Sequence, residues 1–318
     1  MGSTALRADS PANHDHISLF DSHAHLISDD LSRYPQSPVP YGPNRPTRFA
    51  AGGVAGRPGG MHGANPLNEK PTAEQLHQWM TEEGVAAVAA VQKARLYNTD
   101  NTYILDAADL FPDRMRAIVV VDPNAADTPQ KIRDYAKRDI IGVRFFGAGV
   151  EDRSTWLSSP ASLAAWTLAN DLGLLVDIEA PVVNGTALLP AVEQAADRFP
   201  NLKIVLDHIF LPETTDPDYG IGADFEGVAK RDNVSVKFTS INMDASREFG
   251  ADPAKVLRRA VDFFGADKVM WGSDIGTSSG SYKEMVARAY DAAKLLTDVE
   301  RRKFLHDTGR RVLTGWRG

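Results

Sequence analysis

Short apolar runs alternate with helix-like stretches eight times along this chain, and that rhythm limits the fold more than any other feature. The predicted strands are Ile17–Phe20, Val85–Val91, Arg116–Val121, Ile140–Phe146, Leu174–Glu179, Lys203–His208, Val234–Phe238 and Lys268–Trp271. Runs such as Ala117-Ile118-Val119-Val120-Val121 are apolar at every position rather than at alternate ones. A strand reads that way when both its faces are covered, as in a parallel sheet flanked by helices. Helices are predicted between them, from a capping box at Thr72 and Gln75 to a last helix over Asp298–Leu313. Eight such units predict a (β/α)8 TIM barrel, a distorted one, forming a single domain over 17–318. An open doubly wound sheet would usually carry a Gly-rich phosphate turn after its first strand, and none is present.

Two segments stand outside the rhythm. Residues 1–16 have no apolar centre of the kind a signal peptide needs, and read as a loose arm. Ser28 to Pro71 is crowded with proline and glycine, so it predicts an irregular excursion after the first strand. Excursions of that length are lids, binding loops, solvated loops or subunit contacts. As a lid it would offer Arg45, Arg48, Arg57 and His62 to a substrate.

Composition narrows the function by exclusion. The chain has 35 Lys+Arg against 42 Asp+Glu, a net charge of −7, with no basic stripe, which argues against nucleic-acid binding. It has 0 cysteines, so disulfides, thiolate metal sites and cysteine nucleophiles are excluded. No apolar run approaches the ~20 residues of a membrane span. The expectation is a cytoplasmic protein with a small-molecule partner and no membrane or nucleic-acid partner; self-association as a homo-oligomer is left open.

In a barrel, chemistry sits where the strands end. Those positions hold His23, His25, Asp122, Arg144, Asp177, Glu179, Asp207, His208, Lys237 and Asp274. Side chains two apart on a strand share a face, so His23 and His25 can converge on one point. Convergent imidazoles suit a divalent metal, or polarise a carbonyl as donors; otherwise they are two unrelated histidines. Asp274, in the turn after an apolar strand, is either a helix cap or a base. Arg144 interrupts an apolar strand, so its guanidinium needs an anion: a substrate carboxylate, or Glu179 or Asp177. Lys237 has the same two readings.

The order Asp21-Ser22-His23-Ala24-His25-Leu26, Gly142-Val143-Arg144-Phe145, Leu206-Asp207-His208 and Trp271-Gly272-Ser273-Asp274 resembles the amidohydrolase superfamily. It looks most like the amidohydrolase 2 branch, which includes 2-pyrone-4,6-dicarboxylate lactonase and sugar-lactone hydrolases. Tyr97-Asn98-Thr99-Asp100-Asn101 and Val119-Val120-Val121-Asp122-Pro123 extend the resemblance to about Phe20 through the C-terminus.

The resemblance implies hydrolysis of a lactone or similar acyl substrate with Asp274, His208, His23 and His25 as catalytic residues. Asp274 would activate water, and the three histidines would polarise the carbonyl directly or through a metal. Arg144, Lys237, Tyr97 and Arg48 are the substrate-contact candidates. Some members of the branch require no metal, whereas others hold one zinc. The fifth strand here reads Val176-Asp177-Ile178-Glu179 and carries no histidine. A zinc or manganese site would therefore draw on His23, His25, Asp274 and Glu179. The turn Asp274-Ile275-Gly276-Thr277 also departs from the Trp-Pro common in relatives. The other readings are a metal-dependent decarboxylase of the same branch, a non-catalytic ligand-binding barrel and a histidine-rich phosphoesterase.

Overall fold

All eight apolar runs form strands: β1 Leu19–His25, β2 Val85–Val91, β3 Met115–Val121, β4 Gly142–Phe146, β5 Leu175–Glu179, β6 Ile204–Leu206, β7 Val234–Thr239 and β8 Val269–Gly272. Each pairs in parallel with the next, in the order β1 to β8. The fold is a (β/α)8 barrel. The computed structural model describes residues 17–38, 71–147, 155–180, 185–215 and 217–313. The arm, residues 39–70 of the proposed lid and with them Arg45, Arg48, Arg57 and His62 lie outside the described residues. Among the described residues, no helix is long and apolar enough to cross a membrane.

Side chains alternate along each strand, and the two phases pack into different layers. One phase (Val119 and Val121, Val143 and Phe145, Val176 and Ile178, Ile204 and Leu206, Val269 and Trp271) joins the helices in the large outer core. The other phase points inward. Phe20, Ala87, Ala89, Val91, Ile118, Leu175, Val205 and Met270 make an apolar floor. Further along the chain in the same phase, Leu175 gives way to Asp177 and Glu179, and Val205 to Asp207 just past β6. The inward phase of β8 runs Met270, Gly272, Asp274. Above its floor, the barrel is charged.

The seam between β8 and β1 is closed by polar groups. Asp274 N–H donates to His23 O at 2.7 Å, and Ser22 Oγ to Trp271 O at 2.5 Å. The buried Asp21 carboxylate accepts from Ser273 N–H (2.8 Å), His23 N–H (3.0 Å) and the Tyr282 hydroxyl (3.0 Å). Burial nevertheless pushes its pKa up to about 6, against the pull of these donors. Gly272 is required here: a Cβ on it would lie 2.7 Å from the His23 Cβ, so only glycine admits β1 this close to β8.

Several boundaries differ from the sequence reading. The first strand continues past Phe20 through His25, because β2 and the seam supply partners to its polar half. The sixth strand stops at Leu206, where the backbone turns left-handed. The predicted helix at Thr186–Phe199 is a short 3₁₀ turn, Gly185–Leu188, followed by a helix over Leu189–Arg198. Pro190 accounts for the break, since it starts helices rather than continuing them. A helix over Ser240–Glu248 follows β7 directly; its polar sequence hid it, but Thr239 and Asn242 form a capping box that starts it. The closing helix is interrupted by a π turn at Lys303–Asp307.

Candidate active site

His23 and His25 stand on the last three residues of β1 and their rings meet edge to face, 4.8 Å apart between centroids. Their Nε2 atoms are 3.2 Å apart. Asp274 Oδ1 lies 3.4 Å from His25 Nε2 and 3.7 Å from His23 Nε2. Asp274 follows β8 with φ +54°, a left-handed conformation that aspartate tolerates better than most residues. Its Oδ2 accepts from the Ser278 hydroxyl at 3.0 Å, whereas its buried Oδ1 has no hydrogen-bond donor among the described residues.

Proton positions follow from the partners. His25 Nδ1 lies 2.8 Å from the Val91 carbonyl, which only accepts, so the neutral ring carries its proton on Nδ1 and presents a lone pair at Nε2. Burial, and after it the Lys93 charge, push His25 down to about 4, so it is neutral at pH 7. Burial likewise holds His23 well below the usual imidazole range, outweighing its neighbour Asp207. Burial alone would raise the Asp274 carboxyl, but the hydrogen-bonding and charge influence of His25, His208 and His23 hold it below the ordinary carboxylate range. Asp274 Oδ1 and His25 Nε2 are thus two acceptors facing each other. Something that donates to both, or a cation, belongs between them.

His208 arrives by an unusual backbone. His208, Ile209, Phe210 and Leu211 all have φ between +51° and +55°. Such a run is costly in residues other than glycine and marks a site over-determined by its surroundings. The surroundings here are Asn242 and Thr239. Asn242 Nδ2 donates to His208 O at 2.7 Å, and the Thr239 hydroxyl lies 2.7 Å from His208 Nδ1. The ring sits 4.9 Å from that of His23.

Beneath the histidines lies a buried ion network. Lys237 Nζ reaches Asp177 Oδ2 (2.6 Å), Asp207 Oδ1 (2.9 Å) and His23 Nδ1 (3.2 Å). Arg144 donates from Nε to Asp207 Oδ2 and from Nη2 to Glu179 Oε2, each at 2.7 Å. Burial, and then the like charge of Asp207, push Asp177 up to about 8. Asp207, which burial would raise, is held well below the usual range by Lys237, His23 and Arg144. Two cations, Lys237 and Arg144, face three carboxyl groups, and the upward push on Asp177 moves the network toward charge balance. Balance of that kind is what makes buried charge tolerable.

A hollow of ≈ 20 Å³, room for about one water, is lined by His25, Lys93, Arg144, Glu179, His208 and Asp274 among others. A larger hollow of ≈ 280 Å³ adjoins it and shares Ile241 and Thr277. The structure therefore gathers His23, His25, His208 and Asp274 into one cluster. It does not bring the remaining candidates to the same point. Lys237 is fully buried below His23 and spends its ammonium inside the protein. The Tyr97 hydroxyl accepts from Ser28 N–H at 2.9 Å and does not line the hollow. Arg144 lines it, but with two of its donors already on carboxylates.

A metal could be held by His23 Nε2, His25 Nε2 and Asp274, whose ligand atoms lie within 4.8 Å of one another. The partnerless Asp274 Oδ1 and the lone pair of His25 fit a divalent cation. Glu179, the expected fourth ligand, is outside this cluster because Arg144 holds its carboxylate. A second trio, His23, Asp207 and His208, is equally close, but Arg144 and Lys237 on its carboxylate would repel a cation.

Lys93 was absent from the sequence reading. It stands two residues beyond β2, the same strand-end position that singled out the others. Ser278 and Thr239, which orient Asp274 and His208, carried no signal, since serine and threonine are common in turns.

The amidohydrolase family model matches residues 20–314. The L-fucono-1,5-lactonase of Burkholderia ambifaria is 26% identical over 204 residues, covering 63% of this chain and 68% of that protein. Among solved structures, a Pseudomonas putida protein carrying the name 2-pyrone-4,6-dicarboxylic acid hydrolase superposes with a TM-score of 0.67 at 20% identity, covering 94% of this chain and 98% of its own. An amidohydrolase of Burkholderia multivorans with bound zinc gives 0.65 at 19% identity, covering 93% and 98%. The match over nearly the whole chain, on a barrel carrying this histidine and aspartate cluster, makes the protein a member of the amidohydrolase family.

Proposed function

We propose that the protein hydrolyses a lactone, with the attacking water held between Asp274 Oδ1 and His25 Nε2. The observation that carries this is the pair itself: two buried acceptors, 3.4 Å apart, facing a hollow the size of one water. Water can donate to both at once. The lactonase name of the Burkholderia ambifaria relative supports the choice of a cyclic ester.

The chain's groups then divide the work. Asp274 takes a proton from the water as its oxygen attacks the ring carbonyl. Ser278, on the other carboxylate oxygen, fixes which oxygen acts. His208 would serve as oxyanion donor in one of its two tautomers: where the Thr239 hydroxyl donates to Nδ1, rather than to Asn242 Oδ1, the ring proton sits on Nε2. His23 has two tautomers open to it, donating from Nδ1 to Asp207 or accepting there from Lys237. The second puts a donor at Nε2, so that a metal is not required. When the intermediate collapses, the ring C–O bond breaks and the departing alkoxide recovers the proton from Asp274. The product is an open-chain hydroxy acid. A divalent ion, held by His23, His25 and Asp274, would supply Lewis-acid polarisation of the carbonyl.

The test is a panel of lactones and pyrones, assayed with and without chelator, with the products identified. Ring-opened hydroxy acid is expected. Release of carbon dioxide, or ligand binding with no turnover across the panel, contradicts the proposal.

A further inference from the structure

The His23 ring is held from both ends, and the two ends agree on where its proton lies. The ring is neutral, so it carries one proton. Behind it stands the Lys237 ammonium, which donates and cannot accept. It donates to Asp177 Oδ2 at 2.6 Å and to His23 Nδ1 at 3.2 Å, and pairs with Asp207 Oδ1 at 2.9 Å. A proton on Nδ1 would point an N–H at that ammonium. Asp207 Oδ1, also 3.2 Å from Nδ1, is the rival partner. Among the described residues no donor is aligned on that oxygen, whereas Lys237 is aligned on the His23 nitrogen. In front, His25 spends its proton on Val91 O, so its Nε2 can only accept. That atom lies 3.2 Å from His23 Nε2, a contact that is a hydrogen bond only when His23 carries its proton there. Nδ1 therefore accepts and Nε2 donates.

We propose that Lys237 is a positioning residue that locks His23 in this tautomer, giving the site a donor at Nε2 and denying that nitrogen to a divalent cation. In the other tautomer Nδ1–H would donate to Asp207, and Nε2 would offer a lone pair to a metal. A carboxylate behind a histidine is the arrangement that metal sites use. The same groups can hold either arrangement, and the ammonium decides between them. The use made of the donor rests on the lactonase reading: a ring carbonyl takes the N–H over from His25, whose lone pair then receives the water.

The experiment reads the tautomer directly. The full chain is stripped with chelator, and its imidazole nitrogens are assigned by NMR in the wild type and in Lys237→Met, with His23→Gln marking the His23 signals. The wild type should carry the His23 proton on Nε2, and Lys237→Met on Nδ1. In a calorimetric titration with zinc, Lys237→Met should bind about 10–100-fold tighter than the wild type. Asp177→Asn disturbs the network but leaves Lys237 against His23, so it should keep the wild-type tautomer and zinc affinity. Neither arm needs turnover. In a third arm, on a lactone that the wild type opens and with chelator present, Lys237→Met should lose about 10²–10³-fold in kcat. A wild-type proton on Nδ1, or no change of tautomer in Lys237→Met, overturns the inference. So does zinc binding that is no tighter in Lys237→Met, or equally tightened in Asp177→Asn, or a kcat in chelator that stays near the wild type. If the first two arms hold and the wild type opens no lactone, the lactonase reading falls and the lock on His23 stands. If Lys237→Met does not fold, Lys237→Met combined with Asp177→Asn, which removes the stranded carboxylate as well, is held to the same criteria.

Discussion

The inward face of the barrel divides into an apolar floor and a charged upper layer, and the two are held together by different physics. Val205 and Met270 in the floor can be covered by any neighbour of suitable shape. Asp207 and Asp274, two and four residues further along, need particular partners at particular distances. The floor is interchangeable and the upper layer is not. That difference explains how the site can keep bare acceptors facing water: the cations of the network beneath it are already paired with carboxylates.

The largest stability effect is expected from removing the charge balance. Arg144→Met leaves Asp207 without one of its cations and Glu179 without its partner, and should cost about 3–5 kcal/mol in denaturant unfolding. A loss below 1 kcal/mol would mean that the upper layer tolerates change as the floor does. His208→Gln tests the site above the network. It should cut kcat by about 10²–10³-fold with little change in the melting temperature. Loss of fold together with activity would instead make the left-handed turn a structural device.

Met270→Ala should cost about 2–5 kcal/mol in stability while leaving kcat/KM nearly unchanged, since the residue belongs to the apolar floor. A large fall in kcat/KM would erase the division between layers. The pH profile is the finest probe. Burial lowers His25 to about 4, so the neutral, water-accepting ring persists down to that pH and is lost below it. The acid limb of kcat/KM should therefore fall near pH 4. A limb near the ordinary imidazole value of about 6.5 contradicts a buried neutral His25.

Much of this was legible in the sequence, because it depends on local pattern. Apolar runs marked all eight strands, and their last residues named His23, His25, His208 and Asp274. What was illegible depends on contacts across the barrel. Arg144 finds its partners on β5 and just after β6, 35 and 63 residues away, so its choice of protein carboxylates over a ligand shows only once the strands are arranged. The turn at His208–Leu211 runs against the preferences of Ile209 and Phe210, and its supports are Thr239 at the end of β7 and Asn242, from a helix hidden by its polar sequence. Lys93 fitted the strand-end rule and was passed over because lysine is so often a surface residue.

The central claim is that Asp274 is the base that activates water against a ring ester. The direct measurement is kcat of purified Asp274→Asn on a lactone that the wild type opens, with folding checked by melting temperature. The account predicts a loss of at least about 10²–10⁴-fold in a folded protein. A folded Asp274→Asn that opens the ring at the wild-type rate contradicts it.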